Sequence, residues 1–200
     1  MTEEIDRLTK SGFYDSTVLT DQVFDMFSNE KVDTPWVIET VTHSYRKRLV
    51  EQASWPVTTD FDRLASVFDL LNSNSIIALH NAGNTRDEGL DDANDIHKEL
   101  KIKNILCRGF CCYDTQDVDG AIDGNFLYLT FGDFDENNKR CIQIGNEINA
   151  TLQRCGFKTK WDRTCDTRIR IEPFVWQKRF GNKNCTYDHA KELLSHNKSS

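Results

Sequence analysis

The chain is poor in several features that would announce a function. No apolar run approaches the roughly 18 residues that a membrane span needs, so no membrane partnership is expected. Basic residues are outnumbered: 25 Lys and Arg stand against 32 Asp and Glu, giving a formal net charge of −7 and a pI near 5.2. A domain that holds a phosphate backbone needs a basic patch to displace counterions, so nucleic acid is not the expected partner. The sequence has no Gly-x-Ser-x-Gly elbow, no phosphate-cradling glycine loop and no dinucleotide fingerprint. Triad hydrolases, nucleotide triphosphatases and Rossmann oxidoreductases are therefore unsupported. It also lacks Cys-x-x-Cys and any His pair at ligand spacing, so neither a metal nor another cofactor is expected. The opening MTEEIDRLTK has no apolar h-region, which predicts no secretory signal and a cytoplasmic chain.

What is present fits an ordinary folded domain. Two hundred residues suit one domain with a small appendage, and a chain of that length buries roughly 70% of its unfolded surface. Seven cysteines, an odd number in an expected reducing compartment, read as free thiols. Cys111 and Cys112 are adjacent in an extended segment and would face opposite ways, which is poor geometry for a shared tetrahedral metal. Charge is uneven along the chain: residues 1–59 carry net −4, residues 60–137 net −10 and residues 138–200 net +7. The middle is acidic and the end basic.

Periodicity places the elements. Val23, Phe24 and Phe27 form a short stripe behind a cap at Thr20 or Asp21. Asp33-Thr34-Pro35 opens a helix carrying Val37 or Ile38, then Val41, Tyr45 and Leu49. A second opens near Thr59-Asp60 and carries Phe61, Leu64, Phe68 and Leu71, which predicts an N-terminal helical hairpin. Strands are expected at Ser75–His80, Leu106–Tyr113 and Phe126–Phe131, and as a hairpin at Lys158–Trp161 and Arg168–Glu172. Helices are expected over 90–101, over 115–122 behind a cap at Thr115, over 138–155 and over 187–196, with a fraying end at 197–200. The fold class is α+β: about five strands in a mixed or antiparallel sheet with helices packed on it. The organisation reads as a helical segment 1–73 packed on a core domain 74–180, followed by a tail 181–200.

An ordered series of motifs runs through the core: Ile77-Ala78-Leu79-His80-Asn81-Ala82-Gly83-x-Thr85, Gly89-x-Asp91-Asp92, Gly109-Phe110, and Tyr113-x-x-Gln116-Asp117-Val118. It continues with Leu127-Tyr128-Leu129-x-Phe131-Gly132, Gly145, Gly156-Phe157, Trp161 and Trp176-x-x-Arg179. Over residues 74–180 the chain resembles a family of bacterial proteins of unknown function, with the first 73 residues outside the resemblance. Small acidic members of such families are similar, as a class, to immunity proteins that neutralise polymorphic toxins.

Three stretches carry candidate chemistry. His80 closes a strand and is followed by a polar loop, so it suits a general base, with Asp87, Tyr113 and Asp117 as partners. The alternative is structural: glycines for tight backbone, Thr85 or Asp87 as a cap, His80 satisfying a buried group. Cys112 lies near Tyr113 and His80 but lacks the cationic setting a thiolate needs. Asp133 to Asn137 resembles the start of a calcium loop. However, Asn138 stands where the glycine belongs and Ile144 where the closing glutamate belongs, so a solvated turn is expected.

The preferred expectation is a non-enzymatic binding protein, most concretely an immunity protein for a basic, nuclease-type toxin domain. Carboxylates would mimic phosphate and speed association. The contact residues would be Asp87, Glu88, Asp91, Asp92, Asp95, Asp114 and Asp117. The alternative is a small metal-free hydrolase or transferase using His80 with nearby carboxylates.

Overall fold

A computed structural model of the chain describes residues 1–28, 32–182 and 184–196. It divides into two compact units: Met1–Thr59 with Trp176–Asn182, and Asp60–Val175 with Lys183–Ser200. The expected fraying at 197–200 lies outside the described residues.

The first unit is helical: α1 (Thr2–Ser11), α2 (Ser16–Met26) and α3 (Thr34–Gln52). The Asp15 carboxylate accepts the N–H groups of Thr17 and Val18 and so starts α2 earlier than the expected cap at Thr20 or Asp21. Asp33 caps α3, with Pro35 in its first turn, as the sequence reads. Ile5, Leu8, Leu19, Val23, Val37 and Val41 make the core. The returning 176–182 segment is bonded to the end of α1. The Trp176 indole donates to Ser11 O at 3.1 Å, and the Lys178 ammonium, 1% exposed, donates to Gly12 O at 2.8 Å. Gly12 ends α1 at φ 76°, and a Cβ there would sit 2.5 Å from Lys178 O.

The second unit contains α4 (Asp60–Ser73), β1 (Ile76–Leu79), α5 (Arg86–Ile102), β2 (Gly109–Cys112), α6 (Thr115–Gly124), β3 (Leu127–Gly132), α7 (Asn138–Arg154), β4 (Thr159–Lys160), β5 (Ile169–Ile171) and α8 (Tyr187–His196). The N-terminal helices read from the sequence are thus shared out, α1–α3 to one unit and α4 to the other. The sheet order is β1-β2-β3-β5-β4, with β1 and β2 parallel and every other pairing antiparallel. The fold is α+β with a five-stranded mixed sheet.

Strand alternation assigns the two faces. Ile77, Leu79, Phe110 and Cys112 meet Ala93, Ile96 and Leu100 of α5 and Ala190 and Leu194 of α8. Gly109, Cys111 and Phe131 point the other way, toward α7. There Gly145 brings helix and sheet close, because a Cβ on it would come within 2.7 Å of Phe131 and Trp161. Asn72, at the end of α4, bonds both the N–H and the C=O of Ala78 and so satisfies the open edge of β1.

The thiol expectation needs one correction. Cys141 and Cys165 form a disulfide, and Cys107, Cys111, Cys112, Cys155 and Cys185 are free. The pair joins α7 to the loop before β5, a meeting that spacing of 24 residues does not reveal. Among the described residues no helix is long and apolar enough to cross a membrane.

Candidate functional site

Because β1 and β2 are parallel, they finish at the same sheet edge, with Leu79 paired to Cys112. The pairing continues past the strands: Ala82 N–H donates to Tyr113 O at 2.8 Å, and Thr115 N–H to Gly83 O at 3.2 Å. The starts of α5 and α6 are therefore held near one another, the place in an open sheet where sites collect.

Helix α5 begins inside the expected loop. Thr85 caps it, its hydroxyl accepting Glu88 N–H, while the Glu88 carboxylate accepts Asn84 N–H at 2.7 Å. Helix α6 is capped by Asp114, one residue before the expected Thr115. Asp114 accepts Asp117 N–H at 3.0 Å, and Asp117 accepts Asp114 N–H in return. Thr115 instead bonds back to Asn81 and Gly83.

Of the expected acid–base set, the structure brings together His80 and Tyr113 and leaves Asp87 and Asp117 apart from them. His80 Nδ1 and the Tyr113 hydroxyl are 2.8 Å apart, and both residues are buried. Phe68 stacks on the imidazole at 4.3 Å between ring centres and Phe61 lies at 5.4 Å. Burial pushes the Tyr113 hydroxyl well above its ordinary range. Asp87 is exposed on α5, and Asp117 is turned to Arg168. His80 lines neither of the two cavities described below. Cys112 is pushed up to about 12, chiefly by burial and then by Asp114, so it is no thiolate.

The expected contact carboxylates separate into two groups. Asp87, Glu88, Asp91 and Asp95 are exposed along the first half of α5. Asp95 pairs with Lys98 at 2.8 Å; Asp87 and Asp91 have no ion-pair partner among the described residues. Asp92 is half-buried and accepts the Tyr187 hydroxyl at 2.6 Å. Asp114 and Asp117 are buried and occupied as caps, so they leave the outward set. Other acids of the middle segment are paired from downstream, Glu99 with Lys191 and Asp133 and Asp135 with Arg140, and Asp69 lies 2.9 Å from His189 Nε2. The expected turn at Asp133 is held by Asn137 N–H donating to its carboxylate at 2.7 Å, and no metal-holding cluster is found among the described residues.

Beside the α6 cap lies a cleft of about 400 Å³, walled by Phe126, Tyr128 and Gly120. Arg168 Nη1 donates to Asp117 Oδ1 at 2.8 Å, and its guanidinium sits 4.5 Å from the Tyr128 ring centre. Burial raises the Asp117 carboxyl to about 6, partly offset by Arg168 and reinforced by Asp114. Arg86 and Gln116 line the opening. The sequence reading passed over Arg86 and Arg168. The Arg168-x-Arg170 alternation was the available signal, since it puts both arginines on one sheet face. A second cavity of about 390 Å³ lies between α5 and α7, where His97 stacks on Phe134 at 3.9 Å. Its Cys107 is pushed up to about 11 by burial, which leaves it a poor nucleophile.

A family model described as a domain of unknown function (DUF6891) matches residues 1–180. The chain belongs to that family. The match begins at the first residue, so the family domain takes in the helical N-terminal part that the motif series over 74–180 left out. No curated protein and no solved structure matches the chain.

Proposed function

We propose that this DUF6891 chain is a binding protein that neutralises a cationic protein domain, as an immunity protein does for a nuclease-type toxin. The contact is the outward side of α5. One observation carries the reading: Asp87, Asp91 and Asp95 recur at helical spacing, all exposed, with Glu88 beside them, and the first two form no ion pair among the described residues. Carboxylates left unpaired on a fixed helix are suited to steer and hold a basic surface. The enclosure of His80 and Tyr113 by Phe61 and Phe68 favours binding over acid–base catalysis.

The test is co-purification with the basic C-terminal toxin domain of a neighbouring gene product, followed by titration of that domain. Affinity should fall at least about tenfold between about 0.05 and 0.3 M salt, and Asp87→Lys with Asp91→Lys should abolish binding. A salt-indifferent affinity, or one unmoved by the charge reversal, would defeat the reading.

A further inference from the structure

We propose that the cleft at the start of α6 binds a small phosphate monoester between Arg86 and Arg168. Its lining shares no residue with the exposed acids of α5, which begin at the position after Arg86.

Arg168 is the built part. It is half-buried, tied to Asp117 through Nη1 and laid over the Tyr128 ring. A guanidinium carries five N–H donors in a rigid fork. Among the described residues this one spends donors on Asp117 alone, and the remainder are available to the cleft. Arg86 opens α5, lines the same volume and makes no hydrogen bond or ion pair among the described residues. Gln116, exposed in the first turn of α6, adds a neutral amide. Two forks around one opening match an oxyanion that bears two charges and several acceptor oxygens better than they match a single carboxylate.

The acids in the lining are tied into the fold. Asp114 Oδ1 accepts Asp117 N–H, and Asp117 accepts Asp114 N–H through one oxygen and the Arg168 guanidinium through the other, so Asp117 is spent on the cap and on orienting the arginine. Ligand size is limited in two ways. The volume of about 400 Å³ suits a sugar phosphate. Asp87 and Glu88 follow Arg86 directly on the same helix and Asp91 comes one turn on, so a long polyanion would be repelled where a compact monoester is not.

The experiment is calorimetric titration of the whole chain with ribose 5-phosphate and with inorganic phosphate, and with succinate for comparison. The expected result is binding of ribose 5-phosphate with a Kd of about 0.1–1 mM, weaker binding of inorganic phosphate, and succinate weaker than either. Arg86→Gln should weaken the sugar phosphate about tenfold without changing the melting temperature, since Arg86 holds nothing in the fold. Arg168→Lys keeps the charge, loses the fork and should weaken it similarly. If Arg168→Lys does not fold, Arg86→Gln decides alone. No heat with the phosphates at about 10 mM, undiminished binding by Arg86→Gln, or succinate binding as tightly as the phosphates overturns the proposal.

Discussion

Two polar pairs lie near the same sheet edge, each about one hydrogen bond long, and their surroundings make them opposites. His80 and Tyr113 meet at 2.8 Å inside a box of Phe61 and Phe68. Arg168 and Asp117 meet at the same distance on the wall of an open cleft. The first pair joins His80 Nδ1 to the Tyr113 hydroxyl in a buried setting, where an unmade bond is costly. The second has donors to spare and room in front of them. Residue type alone would have ranked the histidine as the reactive one; the neighbouring rings reverse that order.

The contrast can be tested by substitution. Phe68→Ala should cost about 3–5 kcal/mol in chemical denaturation, because it opens a cavity beside the imidazole. A loss under about 1 kcal/mol would mean that the box is not sealed. Asp117→Asn probes the other pair through pH. The folded carboxyl titrates near 6 and the unfolded one near its ordinary value, so the folded state holds the proton more tightly. The stability that this one carboxyl contributes is therefore fully present below about pH 4 and is lost as pH rises through about 6, by on the order of 2 kcal/mol. Arg168, Asp114 and Cys112 are the charged or titratable groups that interact with it electrostatically. The asparagine variant should remove that slope in a series of denaturation curves; an unchanged slope would place its origin elsewhere. Tyr113→Phe should cost about 1–2 kcal/mol and leave sugar-phosphate titrations unaltered, as expected of a purely internal bond. Smallest of all, Asp87→Asn with Asp91→Asn should move stability by no more than about 1 kcal/mol, because neither carboxylate makes an ion pair among the described residues and only Asp87 sits in the first turn of α5.

Much of the scaffold could be read from the chain because local rules suffice for it. The apolar stripe of Phe61, Leu64, Phe68 and Leu71 is buried along α4, the Phe126–Phe131 run overlaps all of β3 but Gly132, and the 187–196 span is α8. The Asp33-Thr34-Pro35 start of α3 was equally plain. Misplacements came where several capping residues compete. Asp15 was overlooked in favour of Thr20 or Asp21, and Asp114 was overlooked in favour of Thr115 although Asp117 completes its capping box. The candidate site was half legible. Asp114, Gln116 and Asp117 stand in one short motif, and all three line the cleft. Their guanidinium partner lies 51 residues downstream of Asp117, brought in by the β3–β5 pairing, and no local pattern encodes that meeting. The Cys141–Cys165 bond was hidden for the same reason.

The two backbone bonds that carry the β1–β2 ladder past its last residues, Ala82 to Tyr113 and Thr115 to Gly83, have a consequence for recognition. They stitch the connecting segments to each other, so whatever lands on either helix start meets an anvil rather than a mitten. Little chain freedom is left to surrender on contact, and affinity there should track the fit of the incoming molecule more than any reshaping of the receiver.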